Sequence, residues 1–196
     1  MEPVTIPSDA LSYSDYRSLI KKLLSKNLTT GNTVTESYVE FTRLNEYRMD
    51  RLENKVELKE ELVQKVSQLQ RPEVWLVLSE AWCGDSAQTL PVFDKIARLS
   101  SGTIQLLITG RDNHPELMKR FLTDGSRSVP VLLRVNKQSG QLISRWGPRP
   151  KPAQEIMLKW KHADGAISKE DFQKELHLWY AVDQTMTLQK ELIEIW

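Results

Sequence analysis

Residues 74–86 read Val-Trp-Leu-Val-Leu-Ser-Glu-Ala-Trp-Cys-Gly-Asp-Ser, an apolar run of strand length that leads into Trp82-Cys83-Gly84-Asp85-Ser86 and then into a stretch with helical spacing. The only cysteine of the chain therefore falls where a strand gives way to a helix. Free amide N–H groups and the positive end of the helix dipole favour a thiolate at such a point, and the thiolate is the nucleophilic form. Cys83 is accordingly expected to be accessible, with a pKa below the free-thiol value of about 8.5. Asp85 pulls the other way by repelling a thiolate, and its structural alternative is a carboxylate that complements the helix dipole. Three positions after the cysteine stands Ser86, so no dithiol cycle can run within one chain. Ser86 either donates a hydrogen bond to the Cys83 sulfur or fills the space of a second thiol, and it cannot resolve a mixed disulfide.

Outward from this stretch, Pro91 follows the cysteine by eight residues, and Val129-Pro130 opens the strand-like run 131–135. With Trp82, Cys83 and Gly84, these residues resemble the thioredoxin family over roughly residues 58–160. Gly125 and Arg127, five and three residues before Pro130, and Gly147 after the last strand add to the resemblance. It implies an α/β thioredoxin-like fold, a central mixed β-sheet flanked by helices, here with N- and C-terminal helical extensions. It also implies that Pro91 kinks the helix after Cys83 and that the Val129-Pro130 bond is cis and faces the cysteine. Val129 and Pro130 would then form a partner groove to which an extended segment adds as a strand, or would only shape the sheet and keep ligands off the thiol. Trp82 is expected as a groove wall, whereas Trp146 fits either the same face or the core.

Three residues depart from the family pattern. Asp85 and Ser86 stand where thioredoxins carry proline and the second cysteine, and Val77 replaces their buried acid. The variant most resembles bacterial thioredoxin-like proteins with long helical extensions at both ends.

Composition narrows the function classes. The 27 Lys and Arg nearly cancel the 26 Asp and Glu, leaving a net charge of +1 that gives no support to nucleic-acid or anionic-membrane binding. A single cysteine excludes an intrachain disulfide framework and fits a reducing compartment. Residues 1–7 lack the pattern of a secretory leader and no apolar run reaches membrane-spanning length, so a cytoplasmic location is expected. The three histidines, His114, His162 and His177, are isolated from one another and from cysteine, so no metal site is expected and surface or capping roles are assigned. Gly110-Arg111-Asp112-Asn113 reads as a loop after a strand.

The chain divides into an N-terminal helical extension at residues 1–57, a thioredoxin-like domain at 58–163 and a C-terminal helical extension at 164–196. In the first, Tyr16, Leu19, Ile20, Leu23 and Leu24 form one apolar stripe and Tyr38, Phe41, Leu44, Tyr47 and Leu52 a second, with a capping box at Thr33-Val34-Thr35-Glu36. The middle part reads as helix 58–69, strand 74–78, helix 86–99, strand 103–109, a short helix from His114 to Leu122, a hairpin of 131–135 with 141–146, and a closing helix at 153–161. A further helix begins at Ser168, with Phe172, Leu176, Trp179, Val182, Met186 and Ile193 on one face that is expected to pack within the chain.

Three functions fit these residues. In the first, Cys83 carries monothiol thiol–disulfide exchange, with protein or low-molecular-weight thiols and disulfides as partners, glutathione as co-substrate and an external thiol that resolves the mixed disulfide. In the second, the fold is a redox-inactive protein-binding module whose capture survives Cys83→Ala. The third is glutathione and iron–sulfur binding as in monothiol glutaredoxins, which Asp85 disfavours because that family has phenylalanine there. No resident cofactor is expected.

Overall fold

The computed structural model describes residues 2–196; Met1, the first residue of the expected N-terminal extension, lies outside the described residues. Two helices, α1 (Tyr13–Leu24) and α2 (Glu36–Lys55), precede α3 (Glu60–Ser67), β1 (Glu73–Ser79) and α4 (Gly84–Leu99). Then come β2 (Ile104–Gly110), α5 (Pro115–Lys119), β3 (Val131–Asn136) and β4 (Leu142–Trp146), followed by α6 (Lys151–His162), α7 (Lys169–Asp183) and α8 (Met186–Glu194). The four strands form one mixed sheet in the order β2-β1-β3-β4. β1 runs parallel to β2 and antiparallel to β3, and β3 and β4 form an antiparallel hairpin. This is the α/β sandwich expected, with helical extensions at both ends.

The continuous apolar run of β1 is explained by its central place, since both faces of the strand are covered. Successive residues alternate between the two sides. Trp75 and Val77 join Leu90, Phe93 and Ile96 of α4 and buried residues of α1, α2, α3 and α8. Val74, Leu76 and Leu78 join Val131, Leu133 and Val135 of β3, with Met118 and Phe121 at α5 and Val4 of the N-terminal segment. That segment also covers the outer edge of β2, where Leu11 and Ile108 exchange both backbone hydrogen bonds at 2.8 Å. A small third cluster joins Ala153 of α6 to Phe172, Leu176 and Tyr180 of α7.

Three readings of the helices need correction. The hydroxyl that caps α2 belongs to Thr35, which accepts from the Tyr38 amide at 3.2 Å, and not to Thr33. The buried face of α2 is Val39, Thr42, Asn45, Met49 and Leu52, while Leu44 and Tyr47 face solvent. Polar side chains can occupy that face because they are paired: Thr42 with Thr29 at 2.6 Å, and Asn45 with the Ala81 carbonyl at 2.8 Å. In α7 the packed stripe is Phe172, Leu176 and Tyr180, and Val182 and Met186 are exposed. The helical path stops at Gln184 and Thr185, both at positive φ, and α8 sets off in a new register that carries Leu188 and Leu192 into the sheet's core.

Polar contacts tie both extensions to the sheet unit. Within the N-terminal extension Arg17 of α1 binds Glu46, Asp50 and Glu53 of α2, and the extension meets the sheet unit where Thr30 Oγ1 donates to Glu80 at 2.5 Å and Asn45 to the Ala81 carbonyl. Gln189 of α8 accepts from the Lys59 amide at 2.7 Å and donates to the Glu57 carbonyl at 3.0 Å. Glu191 accepts from the Trp146 indole at 2.6 Å and the Lys151 amide at 2.7 Å. Trp146 is thereby a core residue, edge-on to Phe93.

Candidate functional site

The C-terminal end of β1 delivers Trp82 and Cys83 to the first turn of α4, with Cys83 as the N-cap residue. Its side chain caps no helix amide. Instead Sγ donates to the Val129 carbonyl at 3.2 Å, across the cis Val129-Pro130 bond that starts β3. A second cis bond joins Gly147 to Pro148 at the end of β4. Gly147 has φ +125°, and a Cβ there would collide with the Pro130 carbonyl oxygen, so the strand end and the cis-proline segment are in backbone contact.

Cys83 is half-buried, and the chemistry expected of it changes as a result. Burial, followed by the negative charge of Asp85, pushes its pKa up to about 11, with Ser86 and Arg149 pulling the other way. The expectation of a depressed pKa is thus overturned: desolvation of the thiolate outweighs the helix amides. Ser86 Oγ, buried without a hydrogen-bond partner among the described residues, is free to turn toward the sulfur.

Asp85 stands in the first turn of α4, where a carboxylate complements the helix dipole. It is buried, with Oδ2 accepting from Arg149 Nε at 2.9 Å and Nη2 at 2.5 Å, and Oδ1 accepting from the Tyr180 hydroxyl at 2.7 Å. Burial works against the charge on Arg149, but Asp85 outweighs it and holds the guanidinium more firmly protonated than usual. Pro91 lies inside α4. Gly84, the first residue of α4, leaves room for Arg48, whose Nη1 would lie 3.2 Å from a Cβ at that position.

Trp82 stacks on Tyr38 of α2, with ring centroids 4.7 Å apart, and Arg111 lies 4.9 Å from its ring centroid. Val77 is fully buried among apolar neighbours. The acid nearest in sequence is Glu80, also buried, which receives Thr30 Oγ1 at 2.5 Å and the Asp112 amide at 3.1 Å. Burial raises its pKa.

These residues bound a cavity of about 690 Å³ that includes Trp82, Cys83, Gly84, Asp85 and Val129 in its wall. The sequence pattern located these five. It did not indicate that α2 would add Tyr38, Phe41 and Arg48, or that α7 would add Phe172, Leu176, His177 and Tyr180. His177 is a surface residue and Arg111 lies in the loop after β2, as the sequence indicates, and both also line the cavity. Among the described residues no group of three or more His, Cys, Asp or Glu is placed to hold a metal ion. No helix among them is long and apolar enough to cross a membrane.

The whole chain resembles two solved structures. A protein of unknown function from Pseudomonas aeruginosa shares 18% identity at a TM-score of 0.59, with 94% of this chain and 96% of that one covered. An HIV epitope-scaffold shares 17% identity at a TM-score of 0.54, with 94% and 97% covered. At these identities the likeness concerns the fold alone. No curated protein sequence matches the chain. The thioredoxin sequence profile matches residues 31–165, from the loop before α2 to the turn after α6, and the chain belongs to the thioredoxin family.

Proposed function

We propose that this chain is a thioredoxin-fold binding module, with the cavity over Cys83 as its ligand site and Cys83 as a protonated wall group, not a fast nucleophile. The observation that carries this reading is the bond from Cys83 Sγ to the Val129 carbonyl inside a cavity walled by α2 and α7. That carbonyl is the acceptor an added strand would use, and the cysteine already occupies it. The raised pKa leaves few thiolates at neutral pH. No second thiol is present to complete a cycle.

Monothiol exchange is the second reading, favoured by the position of Cys83 in the cavity wall at the start of α4. In it the Cys83 thiolate attacks a disulfide, forms a mixed disulfide and releases one thiolate, and a second thiol such as glutathione regenerates Cys83 by exchange. The two readings differ in the rate of iodoacetamide labelling across pH, measured beside an unfolded control. Binding predicts slow native labelling that is still climbing steeply above pH ~8.5, where the control levels off. Rapid native labelling that levels off below pH ~8.5 overturns it in favour of exchange.

A further inference from the structure

The cavity over Cys83 holds one arginine that has no ion-pair partner among the described residues. Arg111 and Arg127 share Asp112, at 3.0 and 3.5 Å, and Arg149 is paired with Asp85. Arg48, in the same wall, makes no ion pair among the described residues. Its Nη1 donates to Asn45 Oδ1 at 2.9 Å and its Nη2 donates to His177 Nε2 at 3.0 Å, which requires a neutral imidazole with Nε2 as acceptor. Burial and Arg48 lower the His177 pKa, in keeping with that neutral ring. Burial and neighbouring Arg51 also lower Arg48 from its ordinary value, and the charge of Asp85, already paired with Arg149, offsets them only in part.

Arg48 is nevertheless held in place. Asn45 is fully buried and anchored by its own bond to the Ala81 carbonyl, and it fixes the guanidinium over Gly84. Gly84 begins α4, whose first amides form the positive end of that helix. Asp85 in that first turn is taken up by Arg149 and Tyr180, so a fixed cation beside it with no ion pair of its own is an arrangement that an anion completes. Phe41, Met157, Phe172 and Leu176 give the cavity apolar lining. The volume of about 690 Å³ suits a small organic molecule.

Building on the binding reading above, we infer that the cavity takes a small organic anion, its carboxylate or phosphate on Arg48 and its apolar body against Phe41, Phe172 and Leu176. A planar guanidinium matches either headgroup with two parallel hydrogen bonds. The anion then takes the place of neutral His177 as the partner of Nη2.

Calorimetric titration of the full chain with 2-naphthoate, 1-naphthyl phosphate and neutral 2-naphthamide tests the inference. At least one anion is expected to bind about tenfold or more tighter than the amide, and the stronger of the two identifies the headgroup. Arg48→Gln is expected to remove that preference and leave amide binding little changed, and Arg48→Lys, which keeps the charge, to restore part of it. Equal binding of all three probes, or an anion preference that survives in Arg48→Gln, overturns the anion assignment while the cavity stands as a binding site. Absence of binding by any probe overturns the inference, whereas the binding reading itself stands or falls on the labelling profile of Cys83.

Discussion

Two buried ion pairs mark the two ends of β1, and they are built differently. At the start of the strand Glu73 and Arg134 are 0% and 1% exposed and meet through two bonds of 2.9 and 3.0 Å. The Trp75 indole donates to Glu73, Arg134 donates to the Ile195 carbonyl, and Trp196 lies 4.5 Å from the guanidinium. Beyond the other end Asp85 and Arg149 form the same kind of pair, completed by the Tyr180 hydroxyl, but both side chains border the cavity. Both pairs draw their last partner from the C-terminal segment, so the end of the chain is structural at both ends of the sheet. One pair is sealed by aromatic rings and serves stability; the other sets the charge around a thiol in a space a ligand can enter.

The sealed pair gives the largest expected effect. Arg134→Met leaves buried Glu73 with only the more distant, half-exposed Arg71 at 3.5 Å to offset its charge, for a loss of about 3–5 kcal/mol in urea unfolding. Adding Glu73→Gln to that variant should recover most of the loss; if it does not, the pair is not as enclosed as described. Asp85→Asn should cost less than Arg134→Met, because water in the cavity can reach the stranded Arg149. It should also lower the Cys83 pKa from about 11, since a repelling charge is gone, while burial keeps it above the ordinary thiol value. Iodoacetamide labelling would accordingly accelerate between pH 8 and 10, on the order of a factor of several at each pH. An unchanged profile would mean that Asp85 does not act on the sulfur. The smallest effect belongs to Tyr180→Phe, which removes one hydrogen bond to a paired carboxylate, for about 1.5 kcal/mol. A larger loss would show that α7 is held to the site chiefly through this hydroxyl.

The elements of the sheet were legible because their signals are local. A central strand covered on both faces shows as a continuous apolar run, here residues 74–78, and Trp82-Cys83-Gly84 with Val129-Pro130 and Gly147 marks the turns around it. The walls of the cavity were not legible, for reasons that differ by residue. On α2 the buried face carries Thr42 and Asn45, hydrogen-bonded in place, while Leu44 and Tyr47 face water, so an apolar count selects the wrong side. Arg48 meets His177 and Asp85 meets Tyr180 across 129 and 95 positions of the chain, separations at which periodicity carries no information. The thiol was misjudged for a third reason: the helix start was visible in the sequence, but the helices that close over it, and hence the desolvation, were not.

Gly147 is not among the residues that line the cavity, yet it governs the site at one remove. Because a side chain there would press on the Pro130 carbonyl, any replacement must displace the segment that carries Val129, and with it the acceptor that keeps the Cys83 proton in place. Selection on the cavity would thus register at a glycine outside it, and a screen for loss of binding would recover this position beside the residues of the wall.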